Sequence, residues 1–520
     1  MHLPSLQRES TCSFGIRGLI LFMMIGLAAA AAASADPEKQ TLLSREDTLW
    51  LNRVTYGLDS TSVEHFLRLG RRSFLEEQLE GRNDALPAPI QAQIAALDIS
   101  KTSASQLWAE ELRARERFSS LADGEAKQQA RKARNALGER YAYEGMRRHI
   151  LRAVYSPAQL KEQMDWFWLN HFSIFARKGA IRWMAADYEE RAIRPHALGH
   201  FRDLVMATLT HPAMLQYLDN AQNASGHINE NYARELMELH TLGVDAGYSQ
   251  ADVQELARVL TGVGVARGES VKPRTAQAKL FISDGLFAFY PARHDFGDKH
   301  LLGKTIKGRG FAEVQEAVDL LVKQPACAHF VSRKIAGYFV ADEPPEKLVM
   351  QMAGTFATTD GDIAAVLRTM FESPLFTASL GKKFKDPMHY IVSSVRLAYD
   401  GKSIANERPL INWLNGQAEM LFGHQTPDGY PLTENAWASS GQMSRRFEIA
   451  RLIGGGGGDL FAPEDGSAAT VTGFPNLSNR LYFERIAPLL SKTTLAALDQ
   501  AESPQEWNTL LLASPEFNYR

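Results

Sequence analysis

The sequence predicts a mainly α-helical protein, a large multi-helix domain with a small β-hairpin element. Apolar and aromatic residues recur every three or four positions through most of the chain, as on the buried face of a helix. Polar segments typical of helix N-caps precede several of these runs, for example at Ser44 and Ser249. The pattern changes between residues 264 and 305, where glycine, proline and alternating apolar positions predict the hairpin.

The first 35 residues have the pattern of a cleaved secretory signal peptide. Two basic residues, Arg8 and Arg17, precede an apolar run at residues 19–27, and Ala33-Ser34-Ala35 forms a typical cleavage site. The apolar run is shorter than the roughly 20 residues that span a bilayer. We therefore expect a mature protein that begins at Asp36, is periplasmic or secreted, and has no membrane span after signal cleavage.

Composition excludes some classes of protein. The chain has 57 basic and 60 acidic residues, a near-neutral balance that argues against a nucleic-acid partner. Cleavage would remove Cys12 and leave Cys327 alone, so no intrachain disulfide can form. The mature chain must therefore be held together by its hydrophobic core, and it is long enough to bury one.

We predict three segments along the chain. They are the signal peptide (1–35), an N-terminal helical region (36–150) and a core helical domain (151–520) with a loop or hairpin insertion near 264–305. In the N-terminal region, apolar spacing predicts short helices over 44–51, 60–69 and 73–79. Residues 101–150 predict a long helix with Trp108 and Phe118 on one face.

Distinctive motifs are spread over almost the whole mature chain. They are residues 51–57 (LNRVTYG), 166–172 (WFWLNHF), 229–243 (NENYARELMELHTLG), 248–253 (YSQADV), 294–295 (HD), 356–362 (FATTDGD) and 427–431 (PDGYP). In this order they resemble the bacterial family known as domain of unknown function 1800. The resemblance implies an exported protein, often encoded beside a member of the alkaline-phosphatase-like superfamily, and it implies no established reaction.

Residues 229–243, here called the acidic motif, are the main candidate site. We expect them to form a helix that lines the deepest pocket, close to His171 and His294. If the segment is helical, Asn231, Glu235 and Glu238 share one stripe, and the two carboxylates are neighbours on the helix surface. Apolar residues surround them, and a buried carboxylate needs a partner or a function. Arg234 could be that partner, so a surface helix with ion pairs is the alternative.

Carboxylates near aromatic residues suggest the hydrolysis of glycosidic bonds, which needs one protonated and one ionised carboxyl group. We assign Glu235 as general acid, and Glu238 or Asp295 as base or nucleophile. The residues expected to contact a polysaccharide are Trp166, Trp168, His171, Asn231, Tyr232, Arg234, His240, His294, Asp428 and Trp437. The alternative for the tryptophans and for His171 is ordinary packing in the core.

No cofactor and no metal ligands are assigned from the sequence. The acidic motif lacks a His-x3-His or Glu-x2-His pair, although it and a loop cluster at His294, Asp295, Asp298 and His300 leave a divalent metal open. The glycines at 454–458 lack the Lys and Ser/Thr of a phosphate loop, and there is no Gly-x-Ser-x-Gly motif.

Two functions remain in view. The first is an exported carboxylate-dependent hydrolase of a polysaccharide. The second is a non-catalytic envelope protein that binds a glycan or a neighbouring exported enzyme, such as an alkaline-phosphatase-like protein. Carboxylates about 5–10 Å apart across an open cleft would favour the enzyme. Carboxylates that are each paired with an arginine in a closed core would favour the second function.

Overall fold

The structure is a computed structural model that describes residues 43–266 and 279–520. The predicted signal peptide lies outside these residues, as does part of the predicted hairpin region. Residues Leu43–Arg520 form one compact unit. This unit is mainly α-helical with a few short antiparallel strands, which confirms the predicted fold class.

The N-terminal part is helical. Its helices are α1 (Arg45–Val54), α2 (Ser60–Glu80), α3 (Ala88–Ala96), α4 (Asp98–Lys101), α5 (Ala104–Ser120) and α6 (Glu125–Tyr155). Ser44 caps α1 as predicted, because its hydroxyl accepts a hydrogen bond from the backbone N–H of Asp47 at 2.9 Å. The two short helices predicted after residue 59 lie within α2 on either side of Gly70, whose φ of 74° and ψ of 162° are not helical.

The single long helix predicted over residues 101–150 is wrong. The chain breaks after α5 and passes through Gly124, whose φ of 154° is rare for other residues, before α6 begins. The two helices pack against each other and are joined by an ion pair between Arg134 and the buried Glu111.

The central part contains α-helices, 3₁₀ turns and π-helices. The α-helices are α7 (Gln159–His171), α8 (Ala185–Asp187), α9 (Phe201–Thr210), α10 (Pro212–Tyr217), α11 (Asn231–Glu235) and α12 (Gln250–Val259). The 3₁₀ turns are Ile181–Trp183, Arg194–His196 and Asn220–Gln222. The π-helices are Tyr188–Ile193 and Leu236–Thr241. Ser249 and Asp252 form a capping box at the start of α12.

The strands follow α12. They are β1 (Val263–Val265), β2 (Ile282–Asp284), β3 (Phe287–Phe289), β4 (Lys299–Leu301) and β5 (Lys304–Ile306). The first three form an antiparallel sheet of order β1-β3-β2, in which Gly264 pairs with Ala288 and Ala288 with Ser283. The last two form a separate hairpin in which His300 pairs with Thr305.

The C-terminal part is again helical. Its helices are α13 (Phe311–Val322), α14 (Pro325–Phe339), α15 (Glu346–Thr358), α16 (Ile363–Phe371), α17 (Pro374–Thr377), α18 (Pro387–Ala398), α19 (Arg408–Gly416), α20 (Glu434–Trp437), α21 (Ser440–Gly454), α22 (Lys492–Asp499) and α23 (Pro504–Ala513), with a π-helix at Tyr482–Ile486 and 3₁₀ turns at Pro291–Arg293, Ala487–Leu489 and Glu516–Asn518. Cys327 in α14 is buried and free.

Two helices lie at the centre of the core. All of α18 is buried, and so is all of α7 except Lys161 and Asn170. Gln163 of α7 joins them, because its side-chain oxygen lies 2.9 Å from Nε2 of His389 in α18. Among the described residues, no helix combines the length and the apolar character needed to cross a membrane.

We expect Gly57→Ala to destabilise the fold by at least about 2 kcal/mol, the scale of combined overpacking and backbone strain. Gly57 has a φ of 103°, and a Cβ there would lie 2.6 Å from Cβ of Ser393 in α18. Gly337→Ala in α14 is the matched control, since its Cβ would meet no atom within 4 Å. The control should gain about 0.5–1 kcal/mol. Urea denaturation measures both, and equal stabilities would contradict the packing at Gly57.

Candidate functional site

The acidic motif is helical, but its helix changes type in the middle. The α-helix α11 ends at Glu235, and the π-helix Leu236–Thr241 follows directly. The backbone N–H of Leu242 donates to the carbonyl oxygen of Met237, five residues earlier, at 2.8 Å. Single π-turns are rare and occur frequently at functional sites. The sequence pattern predicted an ordinary helix here, because apolar spacing does not distinguish the wider turn.

Glu235 is half-buried and has no hydrogen-bond or ion-pair partner in the described part of the chain. Burial raises the pKa of its carboxyl group, and the negative charges of Glu238 and Asp428 raise it further, whereas Arg234 opposes them. Glu235 is therefore held toward its protonated form.

Glu238 has a different environment, because it forms an ion pair with Arg234. The guanidinium lies 3.3 Å from a carboxylate oxygen of Glu238 and 3.3 Å from one of Glu230, and it donates to Gln250 at 2.8 Å. The charged side chains of these pairs are 25–37% exposed, so the pairs contribute little stability. The ion-paired helix considered from the sequence is thus present, but it includes Glu238 and not Glu235.

Two buried histidines are in contact here, namely His240 of the acidic motif and His171 of α7. Nε2 of His171 in α7 donates to the carbonyl oxygen of His240 at 3.0 Å, and the two rings are 6.1 Å apart. Burial, and then the charge of Lys334, lower the pKa of both, that of His240 to about 3, so both rings are neutral near pH 7. The sequence therefore correctly placed His171 beside the acidic motif.

Two further charged residues lie near the acidic motif, since Lys334 acts on His240 and Asp428 acts on Glu235. Burial lowers the pKa of Lys334 to about 8, and the nearby charge of Asp428 opposes this. The carboxylate of Asp428 is 62% exposed and accepts a hydrogen bond from Thr426 at 2.6 Å. Because the charge of Asp428 acts on Glu235, the loop that contains Asp428 lies near the acidic motif.

Asp295 and His294 belong to a different cluster. Asp295 accepts a hydrogen bond from Arg258 at 2.8 Å, which lowers its pKa more than burial raises it. Nε2 of His294 lies 2.9 Å from a carboxylate oxygen of the buried Glu313. No described contact joins Asp295 to the acidic motif. We therefore leave Asp295 and His294 out of the site and keep Glu238 as the second carboxylate.

The tryptophans expected to contact sugar are packed in the core. Trp166, Trp168 and Trp437 are 3%, 0% and 5% exposed. The indole N–H groups of Trp168 and Trp437 donate to the carbonyl oxygens of residues 197 and 431 at 2.9 and 3.0 Å. Tyr232 is 1% exposed. None of these rings offers a face to a ligand. Their burial agrees with the alternative interpretation, ordinary packing in the core.

Asn231 is also engaged with the protein, since its side-chain amide donates to the carbonyl oxygen of Leu218 at 3.2 Å. The two largest cavities that we describe are open and have volumes of 810 and 520 Å³. Trp108 and Leu112 line the first, and His200 and Phe356 line the second. The acidic motif lines neither of them, so the expectation that it lines the deepest pocket is not met in the described part of the structure.

A second polar cluster, which sequence reasoning missed, lies in the core. It consists of His149 in α6, Asp165 in α7 and Glu189 in a π-helix, here called the buried triad. Their exposed fractions are 2%, 0% and 0%, and one ligand atom from each lies within 4.8 Å of the others. Nδ1 of His149 is 3.1 Å from Glu189 and 3.7 Å from Asp165. Within the described residues, this group alone has the spacing of metal ligands.

The two carboxyl groups of the buried triad have opposite pKa shifts. Burial, and then the charge of Glu189, raise the pKa of Asp165 well above its usual range. Burial alone would raise the pKa of Glu189, but His149 and two arginines lower it to about 2. The sequence contains one signal for this site, namely that Asp165 directly precedes the apolar run at residues 166–169 in α7.

The fold and these sites define the class of protein: a large, mainly α-helical protein with a half-buried carboxylate pair and a buried His–Asp–Glu triad. A family model described as "Protein of unknown function (DUF1800)" matches residues 49–519. The chain belongs to this family. Neither a curated protein nor a solved structure matches the chain.

Because the fold raises the pKa of Glu235, the protonated form stabilises the folded state, and this contribution is lost as pH rises through the raised pKa. Glu235→Gln should therefore gain stability relative to the unmodified protein between pH 4 and pH 8. Glu448→Gln, the control, loses only an exposed ion pair with Arg445, worth under about 1 kcal/mol. Urea denaturation at both pH values measures this. A Glu235→Gln protein that loses stability relative to the unmodified protein as pH rises would contradict the assigned environment.

Proposed function

We propose that this protein is an exported hydrolase of a polysaccharide, with Glu235 as general acid and Glu238 as its ionised partner. The observation that carries the proposal is the unequal environment of two neighbouring carboxylates. Glu235 has a raised pKa and no partner among the described residues, whereas Glu238 is paired with Arg234. Glycosidases need such a pair, one group protonated and one charged. Export is inferred from the pattern of the first 35 residues.

In this mechanism the carboxyl group of Glu235 donates its proton to the glycosidic oxygen as the bond from that oxygen to the anomeric carbon breaks. The carboxylate of Glu238 activates a water molecule or attacks the anomeric carbon, and water finally supplies the new hydroxyl group. Arg234 orients the carboxylate of Glu238 through the contact at 3.3 Å.

Substrate would bind through polar contacts on the surface. Glu235, Glu238 and Arg234 are all partly exposed, and Asp428 is more exposed than any of them. A polysaccharide is a long chain of hydroxyl groups, which carboxylates and ammonium groups can bind by hydrogen bonding. Lys334, beside Asp428, adds a donor at the same place.

A non-catalytic envelope protein is the second candidate, and one observation favours it. Neither Glu235 nor Glu238 lines any of the cavities that we describe, and Arg234 already occupies one side of Glu238. The same polar surface would then bind a glycan or a neighbouring exported enzyme, such as an alkaline-phosphatase-like protein, without cleavage.

The two candidates are separated by the release of reducing ends from a panel of bacterial envelope polysaccharides, with and without chelator. We expect Glu235→Gln to lower the rate by a factor of about 10²–10⁴, the usual contribution of a positioned general acid. Activity should fall as pH rises through the raised pKa of Glu235, because the acid must be protonated. Glu448→Gln, on an exposed pair with Arg445, is the control and should keep full activity.

Release of reducing ends at the same rate by Glu235→Gln and Glu448→Gln would remove Glu235 from the mechanism. If the unmodified protein binds a polysaccharide in a sedimentation assay but releases no reducing ends from any of them, the second candidate replaces the first.

A further inference from the structure

The buried triad contains carboxylate oxygens that no protein group satisfies. Both oxygens of Asp165 and one oxygen of Glu189 are buried without a hydrogen-bond partner among the described residues. Nε2 of His149 also lacks one. A carboxylate that is taken out of water without compensation costs several kcal/mol. An unsatisfied pair of this kind, aimed at one imidazole, therefore indicates a missing positive partner.

The nearby arginines are engaged with other carboxylates. Arg194 makes a two-point contact with Glu162, one arm of it at 2.7 Å, and comes no closer than 3.7 Å to Asp165. The other two arginines, at positions 148 and 152, contact Glu190 at 3.1 and 2.7 Å. These direct contacts are made to Glu162 and Glu190, although the charges of Arg148 and Arg152 also act on Glu189. The closest positively polarised group to both Asp165 and Glu189 is therefore the imidazole of His149.

We propose that the buried triad binds one divalent transition-metal cation, with Nδ1 of His149 and the carboxylates of Asp165 and Glu189 as its protein ligands. The separations of 3.1 and 3.7 Å between Nδ1 and the two carboxylates match the edges of a coordination shell with bonds of about 2.0–2.2 Å. Two carboxylates and a neutral imidazole would balance a charge of two. One nitrogen and two oxygen ligands suit zinc or manganese better than calcium or magnesium, which prefer oxygen alone.

The bound cation would stabilise the folded protein and would not take part in catalysis, because the site is closed to substrate. The ligands come from three separate elements, α6, α7 and the π-helix Tyr188–Ile193. All three ligand side chains are almost fully buried. A metal that binds only the folded protein stabilises it in proportion to the logarithm of its free concentration. This role is independent of the proposed activity at the acidic motif.

Metal content and thermal unfolding of the full chain, purified without a histidine tag, test the proposal. We expect elemental analysis by inductively coupled plasma mass spectrometry to find one equivalent of metal per chain. Treatment with a strong chelator should lower Tm by several degrees, and added Zn²⁺ or Mn²⁺ should restore it. Co²⁺ should give the visible absorption of a low-symmetry site. Absence of bound metal, together with a Tm that none of the three ions changes, would overturn the proposal and leave a shared proton in the triad.

Variants give a second measurement. Asp165→Asn keeps the size of the side chain and should reduce metal content at least tenfold. Glu190→Gln, next to Glu189 but paired with arginines, is the matched control and should keep the metal. An Asp165→Asn protein that retains one equivalent of metal would show that the cation lies elsewhere, which also overturns the assignment. If Asp165→Asn does not fold, the metal content and chelator response of the unmodified protein decide.

Discussion

The charge that α7 carries into the core is the constraint on which the rest of the structure depends. Glu162 and Asp165 lie on a helix that is buried on nearly all sides, so water does not solvate either carboxyl group. The two-point ion pair with Arg194 compensates for the loss of solvation at Glu162. Removal of one partner from such a pair strands the other and typically costs about 3–5 kcal/mol. The elements around α7 are therefore arranged to bring arginine and histidine inward.

The same helix connects distant parts of the chain. The amide of Gln163 donates to the carbonyl oxygen of Val54 at 2.7 Å, and its oxygen accepts from the Arg520 guanidinium at 2.9 Å. That guanidinium also donates to the carbonyl oxygen of Tyr338 in α14 at 2.7 Å. Buried hydrogen bonds of this kind have strict geometry, whereas apolar contacts tolerate small shifts. The polar core thus fixes how the first, central and last segments pack together.

Much of the fold could be predicted from the sequence because local rules determine it: apolar spacing gave the helices, and the caps at Ser44 and Ser249 marked where two of them begin. The π-turn in the acidic motif could not be predicted, since one extra residue per turn leaves the apolar pattern readable as an ordinary helix. The neighbouring carboxylates were visible because they are three positions apart. The buried triad was not, because His149 and Glu189 are 40 positions apart and meet only through tertiary packing.

Helix α7 contacts both the buried triad and the acidic motif. Asp165 of the buried triad and His171, which supports the acidic motif, are six residues apart on this helix, or about 9 Å along its axis. His171 donates to the carbonyl oxygen of His240 in the π-helix that also carries Glu238. Sites are held accurately when the residues beneath them are locked by packing and hydrogen bonds. Whatever fixes α7 at Asp165 therefore also sets the position of the carboxylate pair at the surface.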